Sequence, residues 1–212
     1  MRERNLILGL FGVYVPETVA KQLIDQQGQI VPQSTSVTTL FTDIAGFTTL
    51  SEGMDPKAVI AMLNEYFSLL TTLIEQRGGT VTQFQGDGLL AAFNVPASDS
   101  HHATNAVAAA IDIRDQVRSR TFAGMPLACR IGVVTGNAVA GSVGAEGRLS
   151  YTVYGDSVNL AARLEQMNKD FGTVILIAED TVAQASEFDY RRIGEKQVRG
   201  RVSPVTLYTI NG

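Results

Sequence analysis

The chain has 212 residues, enough for one domain of ordinary size with an extension. Hydrophobic residues make up 45% of it and charged residues 18%, which predicts a globular core and excludes wholesale disorder. The net charge of −4 excludes a general nucleic-acid binder, because such proteins are normally basic, and the single cysteine, Cys129, excludes an intrachain disulfide and fits a reducing compartment.

The N-terminal part predicts a helix and a linker. Residues 1 to about 26 are helical in pattern, with an interruption at Pro16, and "QQGQIVPQSTS" is polar and turn-rich. The apolar run "NLILGLFGVYV" is about half of the roughly 20 residues that a bilayer span needs, and no other segment is expected to be long enough. We therefore divide the chain into residues 1–35, an N-terminal helical and linker segment, and residues 36–212, the main domain. A chain that starts inside such a run also suggests a piece of a longer protein.

The first half of the main domain alternates strands and a helix. "VTTLFTDIAGF" predicts a strand that ends in a tight glycine loop. Pro56 can begin a helix, since its missing N–H is not needed in the first turn, and "RGG" ends that helix. "TVTQFQGDGLLAAFNV" predicts a hairpin with Gly86-Asp87-Gly88 as its turn.

The second half adds two helices and further strands. "HATNAVAAAIDIRDQVRS" predicts an amphipathic helix, and His101 and His102 are interpreted as its solvated start because no other residue pairs with them at metal-ligand spacing. "LACRIGVVTGNAVAGSVG" predicts a strand, a glycine turn and a short strand, and "GAEGRLSYTVYG" a polar hairpin or arm. "DSVNLAARLEQMNKDFG" predicts a helix with Asp156 or Ser157 near its cap and Gly172 past its end.

The order of these elements indicates the fold class. Three later strands are predicted at "TVILIAED", "YRRIGEKQV" and "PVTLYTI". Helices interleaved with short strands, several of them in hairpins, indicate an α+β fold with helices against a sheet that contains antiparallel strands, rather than a doubly wound sheet.

Two aspartates stand where strands of one sheet would end. Asp43 closes a β-rich run, and Asp87 lies in the predicted hairpin turn. Two carboxylates side by side repel each other and are poorly solvated unless a cation lies between them, and oxygen ligands suit Mg²⁺ or Mn²⁺. Two ordinary turn aspartates are the alternative, since Asp-Gly is common in turns.

Four motifs follow one another along the main domain: "LFTDIAGFTTLSE", "FQGDGLLAAF", "RIGVVTGNAVAGSVG" and "YTVYGDSVNLAARLE". In this order they resemble the class III nucleotidyl cyclases, the adenylyl and guanylyl cyclases. "FGVYVPETVAKQLI" also resembles the segment that precedes many bacterial cyclase domains. The resemblance implies a ferredoxin-like core, a homodimer with active sites shared between the chains, and two Mg²⁺ or Mn²⁺ ions per site.

The resemblance also implies site residues. The metal ligands would be Asp43, Asp87 and the carbonyl of Ile44, and Arg130 and, less closely aligned, Arg199 would contact the phosphates. The phosphate loop would consist of Gly46, Phe47 and Thr48. Asn159 and Arg163 would hold the ribose and stabilise charge on the α-phosphate. They are four residues apart and share a helical face, and they would face the metal aspartates of the partner chain, so that a monomer is inactive.

Two positions depart from the family pattern for base recognition. Four residues before the second metal aspartate, adenylyl cyclases usually carry Lys and guanylyl cyclases Glu, whereas this chain carries Gln83. Thr152 stands at the second base position, as in many bacterial adenylyl cyclases. Both side chains donate and accept hydrogen bonds, so neither excludes adenine or guanine by charge. Thr152 favours ATP, and loose base selection or reduced activity stays open.

The preferred hypothesis is an adenylyl cyclase that converts ATP to 3′,5′-cyclic AMP and pyrophosphate. The alternatives are a guanylyl or mixed-specificity cyclase and a weakly active or non-enzymatic dimerisation module derived from one. A diguanylate cyclase is disfavoured, because "FQGDGLL" lacks the Gly-Gly-acidic-acidic-Phe hairpin. The resemblance further implies a cytoplasmic domain with upstream sensor or membrane domains in the parent protein.

Overall fold

A computed structural model describes residues 15–25, 30–145, 148–198 and 203–211. Its strands are β1 (Gln33–Ile44), β2 (Thr80–Gln85), β3 (Gly88–Phe93), β4 (Thr121–Phe122), β5 (Met125–Pro126), β6 (Cys129–Ala145), β7 (Arg148–Tyr154), β8 (Ile175–Ala178), β9 (Tyr190–Lys196) and β10 (Val205–Ile210). Its helices are α1 (Glu17–Asp25), α2 (Phe47–Ser51), α3 (Pro56–Gln76), α4 (His102–Arg118), α5 (Asp156–Phe171) and α6 (Glu179–Val182). The predicted α+β class is confirmed.

A single large sheet organises the described residues. Seven strands lie in the order β2-β3-β1-β6-β8-β10-β9, and β7 pairs with the end of β6 that extends beyond β1. Neighbouring strands are antiparallel except β6 and β8, which are parallel. β4 and β5 form a separate small hairpin.

The sheet buries both of its faces against helices. On one face, Met62 and Tyr66 of α3 and Ile113 of α4 share a core with Leu40 and Ile131 of the central strands. On the other face, α5 supplies an apolar stripe to a second core, which consists of Val134, Leu160, Ala161, Leu164, Leu176, Ala178, Val198, Val205 and Leu207. Burial on this scale is the main favourable term in folding, at about 25 cal/mol per Å² of apolar surface.

Helix α3 begins as the sequence predicts. Asp55 caps it by accepting a hydrogen bond from Lys57 N at 3.1 Å, and Pro56 occupies the first turn. By length and composition alone α3 could cross a membrane, so the expectation that no segment is long enough was wrong. Packing accounts for its apolar content, because Met62, Tyr66, Leu70 and Ile74 lie in the core.

Strand β6 corrects one sequence prediction. It runs without a turn for 17 residues, whereas the sequence predicted a strand, a glycine turn and a further short strand. The glycines serve the contact with α5 instead. A Cβ on Gly136 would lie 2.9 Å from Ser157 Cβ, and a Cβ on Gly132 would lie 2.1 Å from the Ala161 carbonyl oxygen. Glycine lets the helix backbone approach the strand closely.

The ends of two other elements can be compared with the prediction. Helix α5 begins at Asp156, directly after Gly155, and Gly172 ends it in the left-handed conformation, so both ends lie where the sequence predicts. Strand β1 begins at Gln33, three residues before the predicted domain start. Helix α1 contacts the sheet through Val19, which is buried, and through Thr18, whose hydroxyl lies 3.2 Å from that of Thr80. The predicted helical residues 1–14 lie outside the described residues.

The two histidines at the start of α4 differ in their surroundings. His101 is exposed, as predicted, but His102 is buried, and its Nδ1 lies 2.7 Å from the Thr38 hydroxyl. That hydroxyl lies 2.7 Å from the hydroxyl of Thr135 on β6, so His102 ties α4 to two central strands. The interpretation of both histidines as solvated was therefore wrong for His102. The helical spacing explains the burial of His102. It begins the buried side of α4, which continues with Ala106, Ala109 and Ile113.

We expect His102 to make the fold sensitive to acid. Burial lowers the pKa of His102, and nearby Asp99 opposes this shift only in part. A histidine whose folded pKa lies below the unfolded value contributes stability above the unfolded pKa, and this stability is lost as the pH falls through the folded pKa. Between about pH 7.5 and about pH 5.5, the melting temperature of His102→Asn should therefore fall less than that of the parent.

His101→Asn is the matched control, because it removes a histidine one position away that is exposed. Its melting temperature should fall with pH as the parent's does. Equal falls for the parent and for both variants would contradict the role of His102.

Candidate active site

The sheet brings Asp43 and Asp87 together. Asp43 lies at the end of β1, and Asp87 lies in the turn between β2 and β3. Because β3 pairs antiparallel with β1, with Thr42 opposite Leu89, the hairpin turn lies beside the end of β1. Asp87 Oδ2 accepts a hydrogen bond from Ile44 N at 3.3 Å, which fixes the carboxylate there. The predicted proximity of the two aspartates is confirmed by these contacts.

The electrostatics of this pair fit a cation. Burial raises the pKa of Asp87, and the charge of Asp43 raises it further. Two carboxylates that disfavour each other's ionisation are stabilised when a divalent cation binds both. Among the described residues, no third His, Cys, Asp or Glu side chain joins this pair in a metal-binding group, so a cation here would take backbone or substrate oxygens as further ligands.

Arg130 lies against the first aspartate. It is directly opposite Asp43 in the pairing of β1 with β6. Its Nη2 lies 3.0 Å from Asp43 Oδ2, and its Nε lies 2.9 Å from Glu165 Oε1 on α5. Burial disfavours the charged guanidinium, but the two carboxylates outweigh burial and raise the pKa of Arg130. The arginine therefore remains a cation at the edge of the aspartate pair.

The loop after Asp43 turns sharply into a short helix. Gly46 adopts the left-handed conformation, with φ 73°, immediately before Phe47 and Thr48 in the first turn of α2. Ala45 N donates to the Ala128 carbonyl at 2.8 Å, which anchors the loop to the segment before β6. Amides in a first helical turn have no acceptor within the helix, so those of Phe47 and Thr48 can donate to an oxyanion.

A second group of predicted residues lies at a cavity beside α5, on the face of the sheet that this helix covers. The cavity has a volume of about 320 Å³, and Gln83 on β2 and Asn159 on α5 are among its lining residues. Gln85 Nε2 donates to Gln83 Oε1 at 2.7 Å. Thr152 on β7 is buried and does not line this cavity, although its neighbour Val153 does, and its hydroxyl has no hydrogen-bond partner among the described residues.

A comparison with models of protein families identifies the family of this chain. The family model of the adenylate and guanylate cyclase catalytic domain matches residues 30–212. The chain belongs to this family. The cyclase domain is 40% identical to adenylate cyclase 1 of Rhizobium meliloti over the whole chain, which spans 33% of that protein. The chain thus spans about a third of the length of this curated relative.

Solved structures of other cyclases have the same fold as this cyclase domain. The adenylyl cyclase CyaB from P. aeruginosa superposes with a TM-score of 0.77 and 30% identity, over 86% of this chain and 97% of that one. The guanylate cyclase domain of RhGC from Catenaria anguillulae, in complex with GTP, superposes with a TM-score of 0.77 and 26% identity, over 85% and 98%. The similar solved structures therefore include both an adenylyl cyclase and a guanylate cyclase domain.

The cyclase domain divides its predicted site residues into two groups. The first contains Asp43, Ile44, Asp87 and Arg130, joined by hydrogen bonds, with the loop of Gly46, Phe47 and Thr48 adjoining it. The second contains Gln83 and Asn159, which line one cavity, and Arg163 follows one turn later on the partly exposed side of α5. Thr152 is buried on β7 and does not line that cavity. Among the described residues, no hydrogen bond or ion pair joins Asn159 or Arg163 to either aspartate. Arg199 lies outside the described residues.

The sequence analysis missed one residue of the first group. The Glu165 side chain is only 2% exposed, and burial together with the hydrogen bond and charge of Asp43 raises its pKa to about 8, against a smaller opposing effect of Arg130. A signal was available in the helical spacing. Glu165 falls on the stripe of Leu160, Ala161, Leu164 and Asn168, and a charged residue on a buried stripe needs a partner.

Proposed function

We propose that this domain is an adenylyl cyclase, which converts ATP to 3′,5′-cyclic AMP and pyrophosphate. The observation that carries the proposal is the aspartate pair of Asp43 and Asp87, held side by side at the sheet edge with the Arg130 guanidinium against it. In the reaction, the ribose 3′ oxygen bonds to the α-phosphorus as the bond to the bridging oxygen breaks. The hydroxyl proton passes to solvent, and pyrophosphate departs with the bonding electrons.

The aspartates fit the two Mg²⁺ or Mn²⁺ ions that the family uses. Their oxygen ligands suit such hard cations, and a bound cation would favour the charged form of Asp87, whose pKa is raised first by burial and then by the charge of Asp43. Asp43, Asp87 and the Ile44 carbonyl would hold the ions. When bound, the ions lower the pKa of the 3′-hydroxyl and neutralise charge on the triphosphate.

The surrounding residues of the same chain would orient the triphosphate. Arg130 donates at the edge of the aspartate pair, where phosphate oxygens would approach the cations. The amides of Phe47 and Thr48, in the first helical turn after Gly46, would donate to phosphate oxygens. Arg199, from either chain of the dimer, would add a second positive charge. Positioning the α-phosphate in line with the 3′-hydroxyl is a large part of catalysis for this class of reaction.

The second group would complete the site of a partner chain in a homodimer. Asn159 would hold the ribose, and Arg163 would stabilise the charge that develops on the α-phosphate in the transition state. The lack of contact between these residues and the aspartates of their own chain supports this division. Exposed apolar side chains on β2, β6 and β7 also suit an interface, namely Phe84, Val139, Val143, Leu149 and Tyr154.

The preference for adenine rests on Gln83 and Thr152. Adenine presents an acceptor at N1 and a donor at N6, whereas guanine presents donors at N1 and N2. The Gln85 amide donates to the Gln83 oxygen, so the Gln83 NH₂ is the group that remains for the base. That NH₂ suits adenine N1, and the unpartnered Thr152 hydroxyl can accept from N6.

One assay tests the function. Purified protein is incubated with Mn²⁺ and either ATP or GTP, and the cyclic nucleotide and pyrophosphate are quantified. We expect cyclic AMP and pyrophosphate in equal amounts, with a higher specificity constant for ATP. A guanylyl cyclase would show the reverse preference, and no product from either nucleotide would favour a non-enzymatic module.

Substitutions of Gln83 should change base selection. Gln83→Lys should raise the preference for ATP, because an ammonium donates to adenine N1 and meets only a donor at guanine N1. Gln83→Glu should move the balance towards GTP, though incompletely while Thr152 remains. The expected change is roughly 1–3 kcal/mol per contact, about tenfold to a hundredfold in the ratio of specificity constants for ATP and GTP.

Gln85→Leu serves as a comparison, because it removes the hydrogen bond to Gln83 without changing residue 83. It should reduce the preference for ATP, since the Gln83 amide could then turn either end to the base. Ratios within about twofold of the parent for both Gln83 variants would mean that Gln83 does not read the base.

A further inference from the structure

Glu165 is a buried carboxylate with no part in the reaction as proposed above. It lies on the inner side of α5, and its side chain is 2% exposed. A carboxyl group that loses water needs a partner, and Glu165 Oε1 lies 2.9 Å from Arg130 Nε, a close contact of the two groups that lacks the geometry of a hydrogen bond. Arg130 is thus shared between Glu165 behind it and Asp43 beside it.

The backbone around Glu165 is held firmly against β6. A Cβ on Gly132 would lie 2.7 Å from the Glu165 amide nitrogen, so the helix backbone lies directly on the strand. Asn168 Nδ2 donates to the Ile131 carbonyl at 2.9 Å, which fixes the next turn of the helix. Both contacts are within two residues of Arg130 on the strand. Glu165 therefore holds its side chain at a fixed place relative to Arg130.

The position of Arg130 matters because it competes for Asp43. Its Nη2 lies 3.1 Å from Asp43 Oδ1 and 3.0 Å from Oδ2, so it already contacts both carboxylate oxygens. Those oxygens are the ones that a divalent cation would bind. If Arg130 lost its contact with Glu165, Asp43 would be its remaining charged partner, and the guanidinium would move further over the carboxylate.

We propose that Glu165 is a positioning residue for the metal-binding half of the site. It holds the Arg130 guanidinium back, so that Asp43 keeps oxygens for the cation while Arg130 still points to the place of the triphosphate. The inference rests on the proposed function for the identity of the site. Its test, however, needs no turnover.

The test is Mn²⁺ binding to the nucleotide-free protein, measured by the electron paramagnetic resonance of unbound Mn²⁺. Glu165→Leu, which keeps the volume and removes the acceptor, should weaken binding by about fivefold or more, whereas Glu165→Gln, which keeps an acceptor oxygen, should stay within about twofold of the parent. Arg130→Ala should bind Mn²⁺ at least as tightly as the parent. Adding Glu165→Leu to Arg130→Ala should change nothing further, because Glu165 acts through Arg130.

Unchanged Mn²⁺ binding in Glu165→Leu would overturn the inference, and so would an equal loss in the Arg130→Ala background, which a merely structural role predicts. If Glu165→Leu does not fold, Glu165→Asp withdraws the carboxylate by one methylene and carries the same expectation. A parent that binds no Mn²⁺ overturns the metal site itself. A parent that binds Mn²⁺ but forms no cyclic nucleotide overturns the proposed function. The positioning role of Glu165 is then still decided by the Mn²⁺ binding of the variants.

Discussion

Replacing Asp43 or Asp87 with alanine should abolish cyclic nucleotide formation while the protein stays folded. Each change removes a carboxylate from the pair that would hold both cations, and cation stabilisation of phosphoryl transfer is worth several kcal/mol. The loss in kcat should be on the order of a thousandfold or more with either Mg²⁺ or Mn²⁺. Turnover with each metal, measured by cyclic nucleotide production, checks this.

Asp112→Ala is the control for loss of a paired aspartate. Asp112 Oδ2 lies 2.8 Å from Arg77 Nη2 between α3 and α4, away from the site, and an exposed pair of this kind contributes little to stability. Its activity should equal the parent's. Near-parental turnover in the Asp43 or Asp87 variant would refute the two-metal proposal.

Two inactive variants should restore each other's activity when they are mixed. Asp43→Ala damages the metal-binding half of the site, and Arg163→Ala damages the half that α5 supplies. A heterodimer of the two has one site with both lesions and one site with none. Random exchange makes half of the dimers heterodimers, so the mixture should recover about a quarter of parental activity.

A mixture of Asp43→Ala with Asp87→Ala is the negative control, because both changes affect the same half and every site then carries a lesion. It should stay inactive. Exchange of chains is verified with two differently tagged variants. If heterodimers form and the first mixture also remains inactive, the shared-site proposal is wrong.

Sequence patterns predicted most of the fold because they report local geometry. The helix beginning at Pro56 and the hairpin around Asp87 both follow from turn and capping chemistry within a few residues. The prediction of a glycine turn failed within β6, where Gly136 is instead required by the close approach of Ser157, which is 21 residues away in sequence. The prediction at His102 failed for the same reason, since Thr38 is its partner.

The part of the site that depends on the spacing of motifs along the strands was predictable from the sequence. Asp43, Asp87 and Arg130 are brought together as expected, because the end of a strand, a hairpin turn and the opposite residue on β6 must meet. Glu165 was missed because its role depends on which side of α5 faces the sheet. The hydrogen bond from Gln85 to Gln83 was also missed, because side-chain partners on one strand face are not specified by the identity of either residue.

Gly132 has a use in interpreting sequences of related proteins. Its missing side chain lets the α5 backbone at Ala161 and Glu165 rest on β6, and that contact sets where the whole helix lies. A relative with a larger residue at this position must have displaced its helix, and with it the residues that stand at 159 and 163. The presence of the catalytic residues in its sequence would then not be enough to indicate activity. The glycine thus serves as a marker of active-site geometry, although it contacts neither nucleotide nor metal in the proposed mechanism.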